Sequence, residues 1–187
     1  MVKIAITGHR PDAFLVSHYA PETVMRIADD LVVQLQREYK HELCLNLGGA
    51  IGVDQWVGTA CMAHEVKFHL YLPFHPSVQA KYWSDEQKAE LDKQMQYAAG
   101  INIVEPNPEA PYNVALYQER NRKMVDDANF TIAFWVGKKR GGTVNAIKYS
   151  LKQSKFVLNA MDGLRPLFKE DIKNGWTPPT TKGFKDE

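Results

Sequence analysis

Short apolar runs alternate with longer amphipathic segments along most of this chain. Val2 to Thr7 opens it as a strand and leaves through a turn of Gly8, His9, Arg10 and Pro11. Residues 22–39 carry Val24, Ile27, Leu31 and Leu35 at helical spacing. A second strand, Leu43 to Leu47, runs into Gly48-Gly49-Ala50-Ile51-Gly52, and residues 53–65 follow as a helix with Val53, Val57, Ala60 and Cys61 on one stripe. A third strand spans Lys67 to Leu72 and is stopped by Pro73. Ser84, with Gln87 three residues on, reads as a capping box that opens a helix to about Ala98. Ile101 to Val104 is a fourth strand, and Pro106 and Pro108 mark the loop after it. A helix over 112–128, a strand from Phe130 to Val136, a helix from Gly142 to Ser154 and a strand from Phe156 to Asn159 complete the alternation.

Strands alternating with helices of this length predict βαβ units: an α/β, Rossmann-like sandwich with a mostly parallel sheet. A single domain is expected over residues 1–160. Residues 161–187 form a partly irregular extension, with a short helix near 166–173 and a loose final stretch. In such sheets ligands bind beyond the carboxyl ends of the strands, so chemistry belongs in the strand-end loops.

Composition narrows the function classes. Twenty-three Lys and Arg against 22 Asp and Glu leave a formal charge of +1, so no global basic field grips nucleic acid. No apolar run approaches the ~20 residues of a membrane span. The N-terminus enters a strand without the parts of a signal peptide, and a cytoplasmic protein is expected. Two cysteines, Cys44 and Cys61, are too few for a disulfide framework and read as small buried hydrophobes. His41, His64, His69 and His75 have no metal-ligand spacing, and no serine sits in a G-x-S-x-G elbow. Neither a metal nor another cofactor is expected.

Three loops carry candidate chemistry. In Thr7-Gly8-His9-Arg10-Pro11, the glycine allows close approach to a ligand, His9 can exchange a proton, and Arg10 can grip a phosphate or carboxylate. The same residues also suit a plain strand-exit turn. Gly48 to Gly52 lies between a strand and a helix, the setting of a phosphate cradle, yet it matches neither G-x-G-x-x-G nor a Walker A loop. Asp54 is either a favourable charge in the first helical turn or an acceptor for ribose hydroxyls. In the third loop, Lys138, Lys139 and Arg140 precede Gly141-Gly142-Thr143, whose N–H groups and hydroxyl can meet a phosphate at a helix start. That charge run also reads as ordinary solvated loop. In the helix between, Leu116, Arg120 and Met124 share one stripe, so Arg120 either snorkels out or is paired at a ligand, with Asn121 beside it. Trp135 either stacks on a base or fills the core or its rim.

Together Thr7-Gly8-His9-Arg10-Pro11, Gly48-Gly49-Ala50 with Gly52 and Asp54, Arg120-Asn121 with Met124, Trp135, and Gly141-Gly142-Thr143 resemble the YpsA-like proteins of the SLOG superfamily. That superfamily also holds the Smf/DprA DNA-processing proteins and the Lonely Guy phosphoribohydrolases. The resemblance runs from Lys3 to about Asn159 and implies a Rossmann-like fold that binds nucleotides or nucleotide-derived ligands. Lonely Guy enzymes split the N-glycosidic bond of a nucleoside monophosphate with an arginine, to which Arg120 corresponds, and a glutamate just after a PGGxGT loop. Here Gly142-Thr143 matches the Gly-Thr, but Ala146 stands where the glutamate would be. The loop also lacks the leading proline and is longer by Lys138, Lys139 and Arg140.

The expectation is therefore a binding site for a mononucleotide, ADP-ribose or an NAD metabolite. Gly48 to Gly52 and Gly141 to Thr143 hold phosphate in this reading, Asp54 holds ribose, and Arg10 and Arg120 neutralise charge. The alternative is a hydrolase of the N-glycosidic bond using Arg120, with Asp54 or His9 in place of the glutamate. A single-stranded DNA-binding protein is the weaker alternative, because only Lys138 to Arg140 is locally basic along the sequence. Relatives with this fold are often dimers, so a homodimer is an expectation of the same kind.

Overall fold

The structure is a computed structural model that describes residues 1–175. The loose end expected for the chain lies largely in 176–187, outside the described residues. The elements run β1 (Val2–Gly8), α1 (Pro11–Val16), α2 (Pro21–Tyr39), β2 (Leu43–Leu47), α3 (Val53–Ala63), β3 (Lys67–Phe74), α4 (Pro76–Gln79) and α5 (Asp85–Tyr97). They continue with β4 (Gly100–Glu105), α6 (Ala115–Asp126), β5 (Phe130–Phe134), α7 (Gly142–Lys152), β6 (Val157–Asn159), β7 (Arg165–Pro166) and α8 (Lys169–Asn174).

Seven strands form one sheet in the order β4-β3-β2-β1-β5-β6-β7, with only β7 antiparallel to its neighbour. Helices cover both faces, giving a three-layer α/β sandwich of the Rossmann-like kind. On one face α2 and α3 pack together, and α2 buries Val24, Ala28, Leu31, Val32 and Leu35. On the other, α6 and α7 lie side by side, with Met124 and Val125 of α6 against Ala5 and Tyr71 of the sheet. Burial on both faces is why the strands read as near-continuous apolar runs: Ile4 and Ile6 of β1 join one core while Ala5 joins the other.

The chain walks outward from β1 through β2 and β3 to β4, then crosses to β5 on the far side of β1. The switch point therefore lies between β1 and β5, where successive loops diverge to opposite faces and leave a crevice.

Local signals account for most element boundaries. The Ser84 box closes as expected, with the Ser84 hydroxyl accepting from the Gln87 N–H and the Gln87 side-chain oxygen accepting from the Ser84 N–H. Several boundaries differ from the sequence pattern, three of them for a visible physical reason. Residues 11–16 form a short helix and not a turn, because Pro11 supplies the preset φ of a first helical position and Phe14 finds a fully buried seat. β3 continues through Pro73 to Phe74. Its pairing with β2 ends at Leu47 and Leu70, so Pro73 falls where the strand has a neighbour on one side only. Phe156 lies outside β6 and is exposed. Among the described residues, no helix is long and apolar enough to cross a membrane.

Candidate functional site

A cavity of about 370 Å³ opens at the switch point. The end of β1 contributes Thr7, Gly8, His9 and Arg10, and the loop after β2 with the first turn of α3 contributes Ala50, Ile51 and Asp54. Helix α6 contributes Tyr117, Gln118, Arg120, Asn121 and Met124, and the start of α7 contributes Gly142 and Thr143. Ten of the residues singled out in the sequence thus meet on the lining of one cavity. Gly48, Gly49, Gly52, Gly141 and Trp135 are not on it.

Arg120 and Asp54 face each other at 3.5 Å between Nη1 and Oδ2, both nearly buried. Arg120 does not snorkel. Burial pushes the Asp54 carboxyl above its ordinary value, while the Arg120 guanidinium and the N–H groups of Ala50 and Gly48 pull it back. Burial likewise lowers Arg120, and Asp54 opposes it. A guanidinium stays protonated in proteins, so the pair is an ion pair. Its Nε has no hydrogen-bond partner among the described residues.

The glycine loop serves this pair from behind. A Cβ added at Gly48 would fall on the Arg120 guanidinium and 2.6 Å from Asp54 Oδ2. Gly52 has φ +98°, and a Cβ there would sit 2.9 Å from the His9 carbonyl, so only glycine lets the first two loops interlock. The Ala50 N–H donates to Asp54 Oδ2 at 3.2 Å, and the Gly49 carbonyl accepts from Gln79. Of the expected phosphate cradle at Gly48 to Gly52, Ala50 and Ile51 reach the cavity, while the turn of the loop seats an arginine and a carboxylate.

The start of α7 is open by contrast. Gly141 takes φ +114°, and a Cβ at Gly141 or Gly142 would meet nothing within 4 Å. The Asn145 N–H makes the first helical bond, to the Gly141 carbonyl, so those of Gly142, Thr143 and Val144 precede the ladder. Asn121 of α6 donates to the Gly142 carbonyl at 3.4 Å and ties this turn to the arginine's helix.

His9 is 7% exposed, lies edge-on to Phe14, and its Nε2 has no partner among the described residues. Burial, and then the charge of Lys138, lowers its pKa to about 4. The unfolded chain protonates near 6.5 while the folded protein resists down to about 4, so stability falls as pH drops through that window. The loss expected is about 3 kcal/mol, from about 1.36 kcal/mol per pKa unit. Urea titrations of the parent and His9→Asn between pH 7 and 4 check this; the two curves should diverge in slope below pH 6.5 and run parallel above it.

Trp135 corrects another expectation. Its ring is fully buried in a cluster with Ala133, Val144 and Ile147, and its indole N–H donates to the Lys138 carbonyl at 2.7 Å. It props the loop before α7 from beneath and is not available to a ligand. The wall instead includes Tyr117, Gln118, Ile51 and Val114, which the sequence pattern did not single out. A usable signal existed: Tyr117, Arg120, Asn121 and Met124 fall at i, i+3, i+4 and i+7, one face of α6.

The fold also assembles positive charge that the sequence scatters. Arg122, Lys148 and Lys152 line a groove of about 350 Å³ between α6 and α7, which shares Gln118 and Asn121 with the main cavity. None of the three makes an ion pair among the described residues, and the Arg122 guanidinium lies 6.0 Å from the centre of the Tyr149 ring. Among the described residues, no group of three or more His, Cys, Asp or Glu side chains is placed to hold a metal ion.

No protein-family model matches the sequence, and no curated protein matches it significantly. Solved structures do. The DNA processing protein A (DprA) of Streptococcus pneumoniae superposes with a TM-score of 0.59 at 15% identity, over 85% of this chain and 50% of that one. DprA of Helicobacter pylori, a structure concerned with its single-stranded DNA binding mode, gives 0.59 at 18% identity over 84% and 64%. TM1055, a structural-genomics target, superposes with a TM-score of 0.54 at 15% identity, over 84% of this chain and 72% of that one. Identities this low speak for the fold alone. This chain spans half of the pneumococcal protein and under two thirds of the Helicobacter one.

Proposed function

We propose that the switch-point cavity binds a nucleotide or nucleotide-derived small molecule: a mononucleotide, ADP-ribose or an NAD metabolite. The observation that carries this is the facing of two unlike ends across one cavity. The open first turn of α7 offers N–H groups and the Thr143 hydroxyl to a phosphate. Across from it lies a buried arginine whose carboxylate partner sits within reach of a sugar hydroxyl. Arg10, exposed and without an ion pair among the described residues, adds charge at the mouth.

Binding without turnover is favoured over hydrolysis. Among the described residues Asp54 is the one carboxylate on the wall, and Arg120 and the Ala50 N–H already occupy it. Ala146, at the glutamate position of the Lonely Guy enzymes, is fully buried. A histidine with a pKa of about 4 is a weak base for activating water at neutral pH.

A second reading, single-stranded nucleic acid, has the groove of Arg122, Lys148 and Lys152 in its favour, since it continues the cavity as a cationic track. One experiment separates all three. Thermal unfolding is recorded with nucleoside monophosphates, NAD, ADP-ribose and a single-stranded 12-mer, and released base is followed by chromatography. A small ligand at ~100 times its Kd should stabilise by about 2.7 kcal/mol, a rise of roughly 5–10 °C, with no free base released. Release of base would install the hydrolase. Stabilisation by the 12-mer alone, weakening by about 0.7 log units per phosphate contact for each tenfold rise in salt, would install the nucleic-acid reading.

A further inference from the structure

Three aromatic rings meet where α6 begins, and the nucleotide reading leaves them unexplained. Phe74, the last residue of β3, is buried and holds the other two. Tyr112 stacks on it, with ring centres 5.2 Å apart and planes 20° from parallel. Tyr117 meets it edge-on at 5.5 Å and 72°. Tyr117 carries the cluster to the cavity wall, where Val114 and Ile51 extend an apolar surface. Tyr112 is 66% exposed and Val114, on the cavity lining, 68%, so the cluster keeps open faces beside the cavity.

Position within the sheet says which part of a ligand this end would take. The open turn of α7 follows β5, whereas Ile51 follows β2 and Tyr117 leans on β3. β5 and β2 flank β1, two strand spacings or about 10 Å apart. The loops that leave these two strands therefore span about the distance between the phosphate and the base of one nucleotide. Arg10 lines the same cavity, and a guanidinium plane stacks on flat π-systems.

We propose that Tyr117, backed by Phe74 and Tyr112 and faced by Arg10, is the platform for a nucleobase, so that the site selects ligands ending in a flat aromatic base over bare sugar phosphates. The inference rests on the nucleotide reading above and adds to it the ligand's orientation and class.

Calorimetric titration with inorganic phosphate, ribose 5-phosphate and AMP tests it in the parent, Tyr117→Phe and Tyr117→Leu. Base stacking on an aromatic side chain is worth roughly 5- to 150-fold in affinity. The parent and Tyr117→Phe should bind AMP tighter than ribose 5-phosphate by a factor in that range. Tyr117→Leu should lose most of this preference while keeping its affinity for ribose 5-phosphate. Equal affinity of the parent for AMP and ribose 5-phosphate would overturn the platform and leave the phosphate site standing. Loss of ribose 5-phosphate binding in Tyr117→Leu, in step with AMP, would also overturn it, because the ring would then only hold the cavity's shape. Failure of all three probes to bind the parent, with no stabilisation by NAD or ADP-ribose in the thermal series, would overturn the nucleotide reading and the platform together.

Discussion

Arg120→Met is expected to lower the unfolding free energy by about 3–5 kcal/mol, the cost of stranding a buried charge without its partner. Asp54 is 8% exposed and Arg120 7%, so water reaches the carboxylate only from the cavity side and replaces the guanidinium only in part. Protonation of Asp54 sets a ceiling on the loss, and burial already pushes that carboxyl upward. At about 2–4 °C per kcal/mol for a chain of this size, Tm should fall by roughly 6–20 °C. Adding Asp54→Leu to Arg120→Met should restore most of the stability, because replacing both members of a buried pair by apolar groups is far less costly than removing one. Denaturant unfolding of the parent, both single variants and the double variant gives the coupling directly. A single-variant loss below about 1 kcal/mol would mean that the two groups are solvated in solution, and the cavity would need redrawing.

Gly48→Ala is expected to cost about 3 kcal/mol or more and to abolish ligand binding, although it adds one methyl group. The new carbon falls on the Arg120 guanidinium and lies 2.6 Å from Asp54 Oδ2, so the ion pair must be displaced into the cavity that the ligand would occupy. Gly142→Ala provides the contrast. Its added carbon meets nothing within 4 Å, and the backbone there is helical, so stability should hold or rise by ~0.4–1 kcal/mol. Thermal melts of the two variants are the check. Equal losses would show that the first glycine loop is constrained by its backbone alone and not by the ion pair behind it.

The two glycine loops look alike in the sequence, each a strand exit leading into a helix, and the physics that separates them is tertiary. The sheet, its helices and the Ser84 cap were legible because each follows from a local period or a local hydrogen bond. Arg120 was legible as an anomaly in an apolar stripe, since a charge among core positions must be paired or must escape. Its partner was not, because Asp54 lies 66 positions away and only the convergence of α3 and α6 from opposite faces of the sheet at the strand ends brings the two within 3.5 Å. Trp135 misled for the mirror-image reason. A strand-end aromatic faces either the ligand or the layer behind it, and alternation alone does not say which; the tight turn to Lys138 and the apolar face of α7 draw it inward. The basic groove was invisible as well, because Arg122 lies on one helix and Lys148 and Lys152 on the next. By itself, then, the sequence determined the layers, the strand ends and most of the residues at the switch point, since those depend on neighbours within a few positions. Which glycines shelter an ion pair and which stand open, which aromatic ring reaches the cavity, and where positive charge accumulates were decided by contacts between elements far apart in the chain.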